Sequence, residues 1–140
     1  EEVRSIAYSP DGSYLATGSD DRTARLWGSE GTCRAVLEGH CGAVWSVTFF
    51  PSGQLLATGS MDEISRVWRL STGECVAIFS GHLGCICSVA PSPDGSHLAT
   101  GSWDGSVRLW GVSGADEGEQ AQISGRHMQT FSWHRGRRSE

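Results

Sequence analysis

A histidine, a hydroxyl group and a carboxylate recur at fixed spacing in this 140-residue sequence, and such a set could support hydrolysis. The histidine would take a proton from the hydroxyl while the carboxylate held the imidazole in place. The two sets are His40, Thr58, Asp62 and His82, Thr100, Asp104. Active sites are usually single, whereas this set recurs wherever the sequence contains a complete repeat. We therefore interpret the residues as structural and predict no catalytic residues and no enzyme activity.

The segments that position these residues are themselves repeated. The pentapeptide Leu-Ala-Thr-Gly-Ser occurs three times and leads through a short turn to a run ending in tryptophan, within residues 14–27, 55–68 and 97–110. Two β-prone runs around a short turn are typical of a hairpin. The tryptophans Trp27, Trp68 and Trp110 lie 41 and 42 residues apart. A period of about 40–45 residues is typical of a four-stranded propeller blade.

One complete repeat predicts four strands. They span Val44–Phe49, Leu55–Ser60, Ser65–Leu70 and Cys75–Ser80, and Pro and Gly mark the connections between them. No segment carries the sustained 3.6-residue period of a helix. The sequence therefore predicts an all-β fold.

Further motifs recur in register with the hairpins. Gly-His pairs stand at 39–40 and 81–82, and Ser-Pro-Asp-Gly turns stand at 9–12 and 92–95. With the tryptophans that end each repeat, these motifs make residues 1–110 resemble the WD40 (WD-repeat) family. The sequence departs from the Trp-Asp pair that names the family, since Trp27 and Trp110 precede glycine and Trp68 precedes Arg69. The resemblance implies about three four-stranded antiparallel blades of an open or partial β-propeller, in repeats 1–38, 39–80 and 81–110.

The resemblance also implies a role for the recurring polar residues. In the family, a hydrogen-bond chain runs from the histidine through the Ser/Thr and the Asp to the Trp indole. The matching residues are His40, Thr58, Asp62, Trp68 in the second repeat, His82, Thr100, Asp104, Trp110 in the third, and Thr17, Asp21, Trp27 in the first. The histidine of the first repeat would lie upstream of Glu1. Ile64 stands where the other repeats have Thr23 and Ser106, so we expect a hydroxyl bond to be missing from that turn.

Residues 111–140 do not continue the pattern. Residues 111–120 are rich in Gly, Ser and acids, as in a linker, while 121–123 could form a short fourth strand. Gly125-Arg126-His127 weakly resembles the Gly-His pair, and the end of the chain is basic. We interpret this region as a divergent, flexible tail.

Composition limits the partners and the compartment. The net charge is -5, with no lysine, which disfavours nucleic acid and anionic membranes. No apolar run approaches the roughly 18 residues of a membrane helix. Five cysteines without metal-ligand spacing predict no metal, no cofactor and reduced thiols in an intracellular protein, cytoplasmic or nuclear. We expect protein partners rather than a small-molecule substrate.

A candidate partner-binding surface follows from the resemblance. Family members contact partners through loops beside the turn Asp and through the starts of the innermost strands. The matching residues are Asp20, Met61 and Trp103 in the loops, and Arg4, Trp45 and Cys87 in the strands. Met61, Trp45 and Trp103 would form an apolar patch of the kind that marks interaction sites. Trp45 could instead pack between blades.

Three functions are compatible with these features. The first is a protein-interaction scaffold. The second is a substrate-receptor subunit of an enzyme assembly such as a ubiquitin ligase, although the Trp-Asp-x-Arg box of one receptor group is absent. The third is a truncated isoform or fragment with little independent function. Closed propellers need about 4–8 blades, so the missing blades would come from a parent chain or from self-association.

Overall fold

The computed structural model describes residues 1–113 and 124–132, which form twelve strands and no helix. The strands are β1 (Val3–Tyr8), β2 (Tyr14–Ser19), β3 (Ala24–Gly28), β4 (Cys33–Leu37), β5 (Val44–Phe49), β6 (Leu55–Ser60), β7 (Ser65–Arg69), β8 (Glu74–Phe79), β9 (Ile86–Pro91), β10 (His97–Ser102), β11 (Ser106–Ser113) and β12 (Ser124–Ser132). Within these ranges, no helix could span a membrane.

Consecutive strands pair antiparallel to form three four-stranded sheets. The first sheet contains β1 to β4, the second β5 to β8 and the third β9 to β12. The predicted hairpins are present in register, with Leu15 opposite Trp27, and Leu98 opposite Trp110. The predicted all-β fold of three partial-propeller blades is therefore confirmed.

The sheets pack face to face in chain order. Leu26 and Leu37 of the first sheet share a buried cluster with Val47 and Trp68 of the second. A second cluster joins the other face of the second sheet, through Phe79 and its neighbours, to the third sheet. The second sheet is therefore apolar on both faces, as expected for a blade between two others.

The stack is open at both ends. Equivalent positions in the first strand of each sheet show this clearly. Ile6 in β1 is 64% exposed, whereas Val47 in β5 and Val89 in β9 are 3% and 5% exposed. At the other end Phe131 is 50% exposed, whereas its equivalent Phe79 is 3% exposed. Among residues 1–113 and 124–132, nothing covers one face of the first sheet or the opposite face of the third.

The third sheet extends beyond residue 110. The strand predicted at 121–123 lies outside the described residues, and the described fourth strand is β12. The Gly125-Arg126-His127 segment is not an equivalent of the Gly-His pair, because it lies inside β12 opposite Val112, Gly111 and Trp110. The sequence of β12 lacks an alternating apolar pattern. Its position depends instead on pairing with the long β11 and on close packing of Gly125 against the Phe79 ring, which leaves no room for a Cβ at this position.

Candidate functional site

The second sheet brings all four predicted polar residues within hydrogen-bond distance. His40 Nδ1 lies 2.9 Å from Asp62 Oδ2, and His40 Nε2 lies 2.7 Å from Thr58 Oγ1. Trp68 Nε1 donates to Thr58 Oγ1 at 2.9 Å. The order of contacts is therefore Asp, His, Thr, Trp. The expected order was wrong in one respect: the threonine, not the aspartate, contacts the indole, because β6 and β7 place Thr58 beside Trp68 while Asp62 lies in the turn.

The donors and acceptors assign the hydrogens of this network. A carboxylate only accepts, so His40 Nδ1 carries a hydrogen toward Asp62. An indole N–H only donates, so Thr58 Oγ1 accepts from Trp68 and directs its own hydrogen to His40 Nε2. Each polar group of the network thereby has a hydrogen-bond partner. An unpaired buried polar group would cost about 1–3 kcal/mol.

The third sheet repeats the arrangement and the first keeps part of it. His82 lies 3.1 Å from Asp104 Oδ2 and 2.7 Å from Thr100 Oγ1, and Trp110 Nε1 donates to Thr100 at 2.9 Å. In the first sheet Trp27 Nε1 donates to Thr17 Oγ1 at 2.9 Å. Asp21 has no histidine partner among the described residues. It accepts from Thr23, as Asp104 does from Ser106, and pairs with Arg25 at 3.5 Å.

Both network aspartates are held in the ionised form. Burial raises the pKa of Asp62, but hydrogen bonds from His40 and from the Cys41 and Ile64 amides outweigh it, so the pKa lies below its ordinary value. Burial also opposes ionisation of Asp104. There the bonds from Ser106, Leu83 and His82 hold the pKa well below the usual range.

The turn of the second sheet lacks a hydroxyl bond that the others have. Thr23 Oγ1 donates to Asp21 at 2.7 Å, and Ser106 Oγ donates to Asp104 at 2.6 Å. Ile64 offers Asp62 only its backbone amide, at 3.0 Å. The second network therefore has one donor fewer.

The geometry does not favour nucleophilic catalysis by these sets. Thr58 and Thr100 are fully buried. Each hydroxyl oxygen already accepts from an indole N–H and lies against an imidazole. A nucleophile must reach a substrate atom, and these oxygens have no open side toward one.

Two arginines that the sequence reasoning missed cover the tryptophans. The guanidinium carbons of Arg66 and Arg108 lie 5.9 Å from the ring centroids of Trp68 and Trp110, within cation–π range. They press against the Gly-His linkers, where a Cβ at Gly81 would lie 2.6 Å from Arg108 Nη1. The signal was available, since an arginine stands two residues before every repeat tryptophan.

The candidate surface contains a continuous set of contacts across all three sheets. Arg4 Nε and Nη2 donate to the two carboxylate oxygens of Asp20 at 2.7 and 2.9 Å. The Arg4 guanidinium carbon lies 5.8 Å from the Trp45 ring centroid. Trp45 meets Trp103 edge to face, with centroids 4.9 Å apart. Trp45 is therefore both packed between sheets and part of the surface, so its two proposed positions are compatible.

Met61 and Cys87 stand apart from this set. Met61 is exposed at its turn, and the exposed Cys87 thiol donates to the Gly101 carbonyl at 3.6 Å. Within the described part of the chain, no side-chain hydrogen bond, ion pair or ring contact joins either residue to Arg4, Trp45 or Trp103. The structure thus brings together four of the six predicted surface residues.

Comparisons with known proteins agree with the repeat pattern. The profile of the WD40 family, described as "WD domain, G-beta repeat", matches residues 1–28, 31–69 and 73–111. Human WD repeat-containing protein 86 is 56% identical over 36 residues, which is 25% of this chain and 10% of that protein. General transcriptional corepressor TUP1 of Saccharomyces cerevisiae is 46% identical over 39 residues, 27% of this chain and 6% of that protein. The chain thus aligns with only a small part of each relative. Since the three profile matches span most of the sequence, the chain belongs to the WD40 family.

Proposed function

We propose that the chain is a protein-interaction scaffold that binds a partner through Trp103 and the contacts behind it. The tryptophan surface is defined as Arg4, Asp20, Trp45 and Trp103. WD repeats indicate a scaffold of this kind, and the proposal adds the surface to which the partner binds.

The observation that carries the proposal is the exposure of Trp103. Trp103 is 64% exposed although its ring meets the Trp45 ring edge to face. A hairpin turn with a fixed aromatic ring loses little conformational freedom on binding. Covering the rest of this indole would contribute about 3 kcal/mol before binding costs.

The charged residues of the tryptophan surface orient its aromatic rings, and the net charge of the chain limits which partners it can bind. The Asp20 hydrogen bond to Arg4 lowers the pKa of that carboxyl, so both groups are ionised at neutral pH. Their pairing holds the guanidinium over Trp45. Tryptophan and arginine are the side chains that most often dominate binding energy at interfaces. The net charge of -5 favours partners that are not strongly acidic.

Affinity capture with Trp103→Ala tests this proposal. We expect proteins recovered with the wild-type chain to be lost or at least tenfold reduced, since removing a central anchor costs about 2 kcal/mol or more. Ile78→Ala is the matched control, because Ile78 is also an exposed apolar residue but lies on the outer strand β8. An unchanged partner list for Trp103→Ala, or equal losses for both variants, would contradict the proposal.

A further inference from the structure

The open face of the first sheet carries the residues that the other sheets bury against their predecessors. This entry face is defined as Val3, Ile6 and Tyr8, all exposed. The same positions of the second sheet are Val44, Val47 and Phe49, all buried against the first sheet. The entry face therefore presents one half of an interface that the chain forms internally.

The open face of the third sheet carries the other half. A Cβ at Gly18 would lie 2.8 Å from Val44 Cγ1, and one at Gly59 would lie 2.6 Å from Ile86 Cγ2. Each glycine thus leaves room for the first apolar residue of the next sheet. The equivalent Gly101 has open space, with only Ser88 Cβ at 4.0 Å. Val3 is the residue that corresponds to Val44 and Ile86.

A hydrogen bond from the backbone amide of one sheet to a serine hydroxyl of the preceding sheet shows the same pattern. Val47 N donates to Ser5 Oγ at 3.2 Å, and Val89 N donates to Ser46 Oγ at 3.2 Å. The third serine of this series, Ser88, is exposed, and its hydroxyl has no partner within the described residues. The matching donor would be the amide of Ile6.

Apolar residues border this open serine and glycine. Val107 and Phe131 are exposed, whereas their equivalents in the second sheet, Ser65 and Phe79, are buried. The exit face is defined as Ser88, Gly101, Val107 and Phe131. It matches the entry face in apolar character, in hydrogen bonding and in the space left for a side chain.

We propose that two copies of the chain associate head to tail, with the entry face of each against the exit face of the other, and close a six-bladed ring. Closed propellers contain about 4–8 blades, and among multiples of three only six lies in that range. A head-to-tail contact forms a closed ring when its rotation returns to the start. A second copy is the occupant because this one chain bears both complementary halves.

Sedimentation equilibrium of the 140-residue chain and two variants tests the association. We expect the wild type to have twice the 15.0 kDa chain mass and Gly101→Val and Ile6→Asp to have the single mass. Gly101→Val is informative because a Cβ added at this glycine meets only Ser88 Cβ, at an ordinary contact distance of 4.0 Å, so the substitution should block the ring without disturbing the sheet. Ile78→Asp controls for a charge placed on exposed apolar surface and should remain dimeric.

Mixing the two variants tests whether the contact joins the entry face of one copy to the exit face of the other. Ile6→Asp keeps a normal exit face and Gly101→Val keeps a normal entry face, so an equimolar mixture should regain the double mass through one intact contact. This regain also excludes unfolding as the cause of dissociation. A wild-type monomer at every concentration, a dimer of either variant alone, or a mixture that stays monomeric would overturn the proposal.

Discussion

At the scale of single residues, the repeated His-Thr-Asp set resembles a catalytic triad, but it is buried and has a structural role. Thr58 occupies the space between an indole and an imidazole, and its hydroxyl serves both. A buried hydroxyl with two partners fixes the position of a tryptophan that packs against the preceding sheet. The polar residues thus orient large apolar ones, and each network contributes through the cost of leaving its members unpaired.

Thr58→Val should lower the free energy of unfolding by about 2–4 kcal/mol. Valine keeps the shape but leaves Trp68 Nε1 and His40 Nε2 buried without a partner, at about 1–3 kcal/mol for each group. Urea unfolding monitored by fluorescence measures the change. Thr72→Val, at an exposed turn, is the control and should stay within about 0.5 kcal/mol of the wild type. Equal effects at both positions would show that the buried hydroxyl is dispensable.

Stability should also fall in acid because of Asp104. Its folded-state pKa is lowered, so its contribution is present above the unfolded pKa of about 3.9 and is lost as pH falls through the folded value. The free energy of unfolding should therefore fall below about pH 4. Asp104→Asn should be less stable at pH 7 and lose less on acidification. Parallel curves for variant and wild type between neutral and acid pH would refute the assignment.

At the scale of elements, the hairpin turns differ in how well their residues suit the backbone. Gly105 has φ of 84°, and the same position holds Arg22 at 75° and Glu63 at 72°. Side chains other than glycine rarely adopt this left-handed region. The second turn therefore combines a strained Glu63 with the missing hydroxyl at Ile64.

Gly105→Ala should destabilise the chain by about 1 kcal/mol, because alanine pays the left-handed penalty that glycine avoids. Glu63→Gly should have the opposite sign and a smaller size, since relief of strain is partly offset by the greater freedom of the unfolded chain. Thermal unfolding of both variants beside the wild type measures the two shifts. If both variants moved the midpoint in the same direction, turn strain would not be the cause.

At the scale of the whole molecule, three sheets supply two internal interfaces and leave the halves of a third exposed. Exposed contiguous apolar faces of this kind mark association sites. The proposed dimer would cover both open ends at once and would make the thermal midpoint rise with protein concentration, as linked association requires. A thermal midpoint that does not change with protein concentration would indicate a monomer and would contradict the proposed ring.

Much of this architecture could be predicted from the sequence. The period of the tryptophans, the Leu-Ala-Thr-Gly-Ser hairpins and the absence of helical periodicity predicted three all-β blades. The identities of the network residues followed from the resemblance of the repeats to the WD40 family. These features are local or repeated, so pattern alone reveals them.

The tertiary structure decided the rest. Strand β12 has no apolar alternation, and only pairing with β11 and packing on Phe79 position it. The order of contacts around Thr58 joins residues of different strands, and the meeting of Arg4, Trp45 and Trp103 joins residues of different sheets. The sequence by itself determined the repeating blade, because each blade is encoded within about one period. Only the packing of one sheet on the next decided which faces are filled and which remain open, because those contacts join residues far apart in the chain.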